Sequence, residues 1–112
     1  MVAFASRQVI LLPFPFSDLS ANKLRPALLL ASAGKGNWVL CQITSNPYAE
    51  AGAIELNEQD FSQGGLQRVS YARANKLFTA NESLFQRSVG QLGSERHAQV
   101  VPFVVDLIQA GA

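Results

Sequence analysis

The chain has 112 residues, 48% of them hydrophobic, and a formal net charge of only +1. This length fits a single domain over residues 1–112, and the near-neutral charge argues against a protein that coats bulk nucleic acid. The single cysteine, Cys41, excludes an internal disulfide framework and suits a reducing compartment. No apolar run approaches the ~20 residues of a membrane helix, and the N-terminus lacks a signal-peptide pattern. We therefore expect a cytoplasmic protein without membrane contact.

The apolar pattern of the first half predicts three strands separated by polar turns. They run over residues 9–16, 25–32 and 38–45. Pro13 and Pro15 remove donors on one side of the first strand, which favours an edge or bulged position. The second strand is apolar on both faces, so we expect it to be buried on both, with the leftover face meeting a twofold mate in a homodimer. The third strand alternates, which places Ile43 and Thr44 on opposite faces.

The second half predicts shorter elements and a C-terminal helix. Strands are expected over residues 53–56, 66–73 with a continuation over 76–79, and 88–92, and loops over residues 17–22, 34–37 and 60–65. Asn81 is expected to cap a short helical turn, and Ser94 a final helix that Pro102 should kink or break. An apolar stripe on this helix comprises Val101, Val104, Val105 and Ile108. Many short strands closed by a helix indicate a mainly β (α+β) fold, a small barrel with a helix across it.

Arg25 is the strongest candidate for chemistry. It opens the second strand directly after a polar loop, and its guanidinium forms a donor fork that fits a phosphate. The alternative is a surface arginine whose stem covers apolar neighbours. Thr44 and Ser45 end the third strand, where two hydroxyls can donate to a phosphate oxygen, although such residues also commonly lead into a turn.

A local basic cluster comprises Arg68, Arg73 and Lys76. Tyr71 lies between them in the sequence and could stack on a base. An ordinary solvated strand edge is the alternative. His97, the single histidine, has no Cys or His companion at metal-ligand spacing, so we predict neither a metal nor a cofactor.

Four motifs in order resemble the PemK/MazF family of toxins. They are the strand pair at residues 9–32, with its Pro-Phe-Pro-Phe and Arg-Pro-Ala-Leu segments, and the segments at residues 40–45, 70–79 and 89–92. The resemblance implies a small SH3-like β-barrel of the Kid/MazF/CcdB type with a C-terminal helix, assembled as a homodimer. It also implies a sequence-specific, metal-independent endoribonuclease toxin that cuts single-stranded RNA, leaves a 2′,3′-cyclic phosphate, and is neutralised by a cognate antitoxin protein.

The resemblance also implies roles for particular residues. Arg25 and Thr44 match catalytic positions of the family. The implied substrate-binding residues are Ser45, Arg73, Lys76, Asp18 and Ser20. The chain departs from Kid-like members at Asn75, where an amide replaces an acidic residue and cannot accept a proton. The alternative is a non-catalytic protein of the same fold, either a CcdB-like gyrase inhibitor or an inactive RNA binder.

Overall fold

The fold is a seven-stranded antiparallel sheet followed by one helix. The structure is a computed structural model that describes residues 4–13, 23–46 and 53–111. The strands are β1 (Gln8–Pro13), β2 (Leu24–Gly34), β3 (Asn37–Thr44), β4 (Ala53–Leu56), β5 (Phe61–Gly64), β6 (Ser70–Asn81) and β7 (Arg87–Leu92). The helix α1 spans Ser94–Ala110, and short 3₁₀ turns occupy Glu58–Asp60 and Glu82–Leu84. No helix within these ranges is long and apolar enough to cross a membrane.

The sheet curls around an apolar core. Its strand order is β4-β6-β3-β2-β1-β7-β5, and the end strands β4 and β5 do not pair with each other in the described ranges. Leu56 of β4 and Leu92 of β7 nevertheless share one buried cluster, the inner cluster, with Val100 of α1. The two ends of the sheet must therefore approach each other, which confirms the predicted mainly β, barrel-like fold with a C-terminal helix.

A second apolar cluster, the outer cluster, covers the opposite face of β1, β2 and β3. Phe85 and Leu29 both belong to it, and the Phe4 ring lies edge-on to Phe85 with centroids 5.1 Å apart and planes at 87°. The centre of β2 is buried on both faces, as predicted, with Leu28 in the inner cluster and Ala27 in the outer one. Because this chain covers both faces itself, β2 has no leftover apolar face, and the sequence-based reason for a homodimer is wrong.

One strand prediction is confirmed in one of its two forms, and another is corrected. Of the edge or bulged position predicted for β1, the structure shows the bulged one: β1 pairs with β2 on one side and β7 on the other, and its pairing with β7 contains a bulge. β1 tolerates Pro13 because that residue ends the strand. Residues 61–64, predicted to be a loop, form β5 against β7. Gly64 permits this pairing, since its φ is +64° and a Cβ there would collide with the carbonyl oxygen of Val89.

The start of α1 differs from its prediction. Its N-cap is Gly93 rather than Ser94, and no side chain caps the first turn. The Gly93 N–H donates to the Asp60 carbonyl at 2.7 Å, and a Cβ on Gly93 would lie 3.0 Å from that oxygen. Arg96 forms an ion pair with the Asp60 carboxylate at 3.1 Å. Close packing against Asp60 therefore decides where the helix begins, and it makes Gly93 the N-cap.

The second half of α1 is continuous and largely exposed. The helix runs through Pro102, so the predicted break is wrong. Pro102 offers no N–H to the Ala98 carbonyl, but Ala98 is exposed and water can replace that bond. Of the predicted apolar stripe, only Val104 packs against the inner cluster, whereas Val101, Val105 and Ile108 are exposed. The buried residue of the helix is Val100, which the predicted stripe did not include. Large apolar side chains left exposed on the helix are Val101, Phe103, Val105, Leu107 and Ile108.

Candidate active site

Arg25 and Thr44 lie at adjoining ends of β2 and β3. The register between these strands ends with Ala27 opposite Gln42, and each of the two residues lies two positions beyond this last pair. Ala27 belongs to the outer cluster, so Arg25, two residues away on β2, is on the outer face. Thr44 is on the same face because its neighbour Ile43 is in the inner cluster, as the alternation predicted.

The two residues share a cavity of about 340 Å³ at these strand ends. Ser45, Lys23 and Arg68 also line it, so its described lining contains three cationic side chains and no carboxylate. Such a lining favours an anionic ligand, and the guanidinium fork of arginine fits the oxygens of a phosphate. The structure thus brings Arg25, Thr44 and Ser45 together, as the sequence predicted.

Local contacts orient the Thr44 hydroxyl. Its oxygen accepts a hydrogen bond from the Asn46 N–H at 3.1 Å. A hydroxyl that accepts in this way keeps its own hydrogen for a further partner. Thr44 can therefore donate to an anion in the cavity, while the half-buried Arg25 supplies positive charge.

Arg73 and Lys76 do not line this cavity. Arg73 lies on β6 opposite Gln42, and one guanidinium N–H donates to the Gln42 side-chain oxygen at 3.3 Å. Gln42 and Cys41 are adjacent on β3, but their partners on β6 are Arg73 and Leu77. Residues 74–76, which lie between these partners, therefore form a bulge in β6. Lys76 is exposed on that bulge. The basic cluster seen in the sequence is therefore divided in space, and the roles of Arg73 and Lys76 stay predictions.

Other predicted residues lie elsewhere. Asp18 and Ser20 are outside the described residues. His97 is in the first turn of α1 and is absent from the cavity lining; burial, then the positive charge of Arg7, lowers the pKa of its imidazole. Its Nε2 is buried without a hydrogen-bond partner among the described residues. Across those same residues, no cluster of three His, Cys, Asp or Glu side chains is placed to hold a metal ion.

Arg68 is a residue of the site that was not predicted from the sequence. This residue lies in the irregular segment 66–69, which was predicted as the start of a strand, whereas β6 begins at Ser70. The Gly65 N–H donates to the Val89 carbonyl at 3.1 Å, which anchors the segment at β7. An irregular segment has no periodic pattern, so nothing in the sequence indicated that Arg68 reaches the cavity.

Fold and site together define a class of protein: a small, barrel-like antiparallel sheet with a C-terminal helix and a cationic cavity at its strand ends. A family model described as PemK-like, MazF-like toxin of type II toxin–antitoxin system matches residues 6–104. The chain belongs to this family, which confirms the resemblance carried by its motifs. No sequence among curated proteins matches the chain significantly.

Solved structures of similar fold include other toxins. MazF from Deinococcus radiodurans has a TM-score of 0.76 at 16% identity, covering 97% of this chain and 99% of that one. A MazE–MazF complex from the same organism gives 0.70 at 19% identity, with 96% of each chain covered. A mycobacterial endoribonuclease in complex with its cognate antitoxin gives 0.72 at 13% identity, with 97% and 96% covered. At these identities the likeness shows the fold.

Proposed function

We propose that this toxin is a sequence-specific, metal-independent endoribonuclease that cleaves single-stranded RNA and is neutralised by an antitoxin. The observation that carries the proposal is that Arg25 and Thr44 line one cavity whose described lining is cationic. A phosphate is the ligand that this lining suits, and the similar mycobacterial and Deinococcus toxins are described as an endoribonuclease and as MazF. The proposed cellular location is the cytoplasm. Cys41, a free and fully buried thiol whose pKa burial raises to about 12, is compatible with it.

The proposed reaction uses the RNA's own 2′-hydroxyl. Its oxygen attacks the adjacent phosphorus, a new P–O2′ bond forms, and the P–O5′ bond breaks. The 2′-hydroxyl loses its proton and the departing 5′-oxygen gains one, so the products are a 2′,3′-cyclic phosphate and a 5′-hydroxyl. Arg25 stabilises the negative charge that builds on the phosphate oxygens, and Thr44 donates to a non-bridging oxygen.

Proton transfer is the step for which this chain differs from Kid-like members. Arginine remains protonated near neutral pH, and Asn75 is an amide. We assign the proton transfers to water, with Arg25 acting through charge alone. A single preorganised donor of this kind contributes about 10²–10³ in rate.

The proposal includes an antitoxin and a homodimer. Mycobacterial and Deinococcus relatives of this fold are described in complex with a cognate antitoxin or with MazE. The dimer is supported by α1, which holds five of the eight large apolar side chains exposed in the described part of the chain. An apolar surface of this kind is typical of an interaction site.

Incubating the purified protein with a long single-stranded RNA and EDTA tests the activity. We expect cleavage at a limited set of sites, with 2′,3′-cyclic phosphates on the upstream fragments. RNA that stays intact while the protein inhibits DNA supercoiling by gyrase would support the CcdB-like alternative. RNA that is bound but uncut would support an inactive RNA binder.

A further inference from the structure

A row of four side chains crosses the outer face from the candidate active site to the edge of the sheet. Thr44 lies opposite Tyr71 on β6, and Tyr71 lies opposite Glu55 on the edge strand β4. Arg25 lines the same cavity as Thr44, so the row is Arg25, Thr44, Tyr71 and Glu55. Thr44, Tyr71 and Glu55 point outward because residues next to them belong to the inner cluster, namely Ile43, Ala72, Ile54 and Leu56. Arg25 points outward because Ala27, two residues along β2, belongs to the outer cluster.

The spacing of this row suits a nucleotide. Neighbouring strands lie about 4.8 Å apart, so Glu55 is about 10 Å from Thr44, with the half-buried Tyr71 ring between them. A phosphate held at Thr44 would place the base of an adjoining nucleotide over Tyr71. Aromatic rings bind bases of single strands by stacking.

A second cavity, of about 510 Å³, joins the end of this row to the candidate active site. Glu55 lines it, and Arg68 lines both this cavity and the first one. The rest of its described lining is Asn57, Glu58, Gln59, Gln67 and Val69. Two carboxylates make this cavity unsuitable for a phosphate, whereas carboxylates and amides are the groups that bind base edges.

The wall of the second cavity is preorganised. The Asn57 side-chain oxygen accepts from the Gln59 N–H at 3.0 Å, and the Asn57 N–H donates to the Asp60 carboxylate at 2.8 Å. These reciprocal bonds fix the turn that carries Glu58. Glu55 and Glu58 are exposed and form no ion pair with another described residue, so their oxygens can accept hydrogen bonds.

We propose that Tyr71 and Glu55 form a base-recognition site beside the cleavage site. Tyr71 stacks on the base, and the Glu55 carboxylate accepts a hydrogen bond from an amino group on its Watson–Crick edge. Cytosine, adenine and guanine present such an amino group, whereas uracil presents no amino group and its one donor, N3–H, lies between two carbonyl oxygens that a carboxylate repels. The inference rests on the proposed function, since it names the kind of base that the RNA-cleaving site selects.

Binding of uncleavable RNA tests this site. The probes are 2′-O-methyl oligocytidine and oligouridine of equal length. Cytosine has an amino group and an unprotonated N3 where uracil has a carbonyl oxygen and an N3–H. We expect the wild type to bind oligocytidine about tenfold more tightly, which corresponds to about 1.4 kcal/mol. Glu55→Gln should reduce the preference below about twofold, because an amide both donates and accepts. Glu95→Gln on α1, the same change at an exposed carboxylate outside both cavities, should leave the preference intact.

Variants of Tyr71 separate stacking from base reading. Tyr71→Phe keeps the ring, so its affinities should match those of the wild type. Tyr71→Leu should weaken binding of both probes by at least about fivefold while keeping their ratio. Normal affinities in a folded Tyr71→Leu protein would show that this ring does not carry the base.

These outcomes are independent of the cleavage assay, because the probes lack a reactive 2′-hydroxyl. An unmodified RNA that stays intact would contradict the proposed activity while leaving this test valid. Equal affinity of the wild type for the two probes, no binding of either, or a preference that survives Glu55→Gln would each overturn the inference.

Discussion

Arg25 is a candidate catalytic residue because β2 places it at the cationic cavity. Its Arg-Pro pair, following a polar loop, was sufficient to select it from the sequence, and the alternation of β3 placed Thr44 on the correct face. The register that brings these two residues together could not be read from the sequence, because it depends on the β2–β3 pairing and its bulges. Their catalytic roles stay predictions.

His97 supplies a prediction about pH. Burial and Arg7 lower the pKa of its imidazole, so the unfolded chain takes up a proton at a higher pH than the folded one. The stability that the neutral imidazole of His97 contributes is therefore complete above its pKa in the unfolded chain, about 6.5. It is lost as the pH falls through the lower pKa of the imidazole in the folded protein.

We expect the melting temperature to fall between pH 7 and pH 5, and to fall less in His97→Gln. Thermal unfolding of the two proteins across this range, at constant ionic strength, measures the difference. The same slope in both proteins would show that His97 contributes nothing to the pH dependence, since all other titrating groups are shared.

At the scale of elements, alternating strands were predictable and close backbone packing was not. The turn capped by Asn81 was predicted correctly, since Asn81 accepts from the Ser83 N–H at 2.9 Å. β5 was missed because its glycine suggested a loop, and the cap of α1 was misplaced because contact with Asp60 decides it. In both of these missed cases, β5 and the cap of α1, the contact that decides the structure is with residues far away in the sequence.

Gly64 and Gly34 form a matched pair for testing β5. Both have positive φ, +64° and +89°, but a Cβ at Gly64 collides with the Val89 carbonyl whereas one at Gly34 meets nothing within 4 Å. Gly34→Ala should lower the free energy of unfolding by about 1–2 kcal/mol, the cost of the left-handed backbone. Gly64→Ala should cost at least about 1 kcal/mol more. Equal losses in urea unfolding would mean that β5 does not pack against β7 as described.

At the scale of the whole molecule, the oligomeric state is the property least readable from the sequence. β2 is apolar on both faces because it lies in the centre of a curled sheet. The sequence pattern of a strand cannot distinguish this position from a position at a subunit interface. Most of the large apolar side chains exposed in the described part of the chain instead lie on α1. An apolar stripe on a helix predicts that this face is buried. It does not tell whether the residues that bury it belong to the same chain or to another.

We expect a dimer by sedimentation equilibrium at micromolar concentration. Phe103→Ser together with Ile108→Ser should shift the protein toward the monomer without lowering its helix content, because both side chains are more than half exposed. A monomeric wild type would contradict the dimer. A double variant that stays dimeric would place the interface away from these two residues.

The antitoxin is expected to cover the cationic cavity with an acidic or amphipathic segment. Disordered segments suit this role because they can wrap a large surface. Arg25→Ala and Arg68→Ala should each weaken antitoxin binding, and bound antitoxin should exclude RNA. Titration calorimetry and an RNA competition assay measure both effects. Equal antitoxin affinity in wild type and variants, with RNA still able to bind, would show that the cavity is not the blocked surface.

The rate of RNA cleavage by Arg25 variants tests the central claim most directly, with the melting temperature measured on the same samples. We predict that Arg25→Ala loses at least about 100-fold in rate and melts within about 5 °C of the wild type. Arg25→Lys should recover little, because lysine keeps the charge but loses the two-pronged geometry that fits a phosphate. Thr44→Val should do less harm, since it removes one neutral donor and keeps the side-chain shape. Full activity in a folded Arg25→Ala protein would contradict the site, and a collapse of its melting temperature would make Arg25 a structural residue instead.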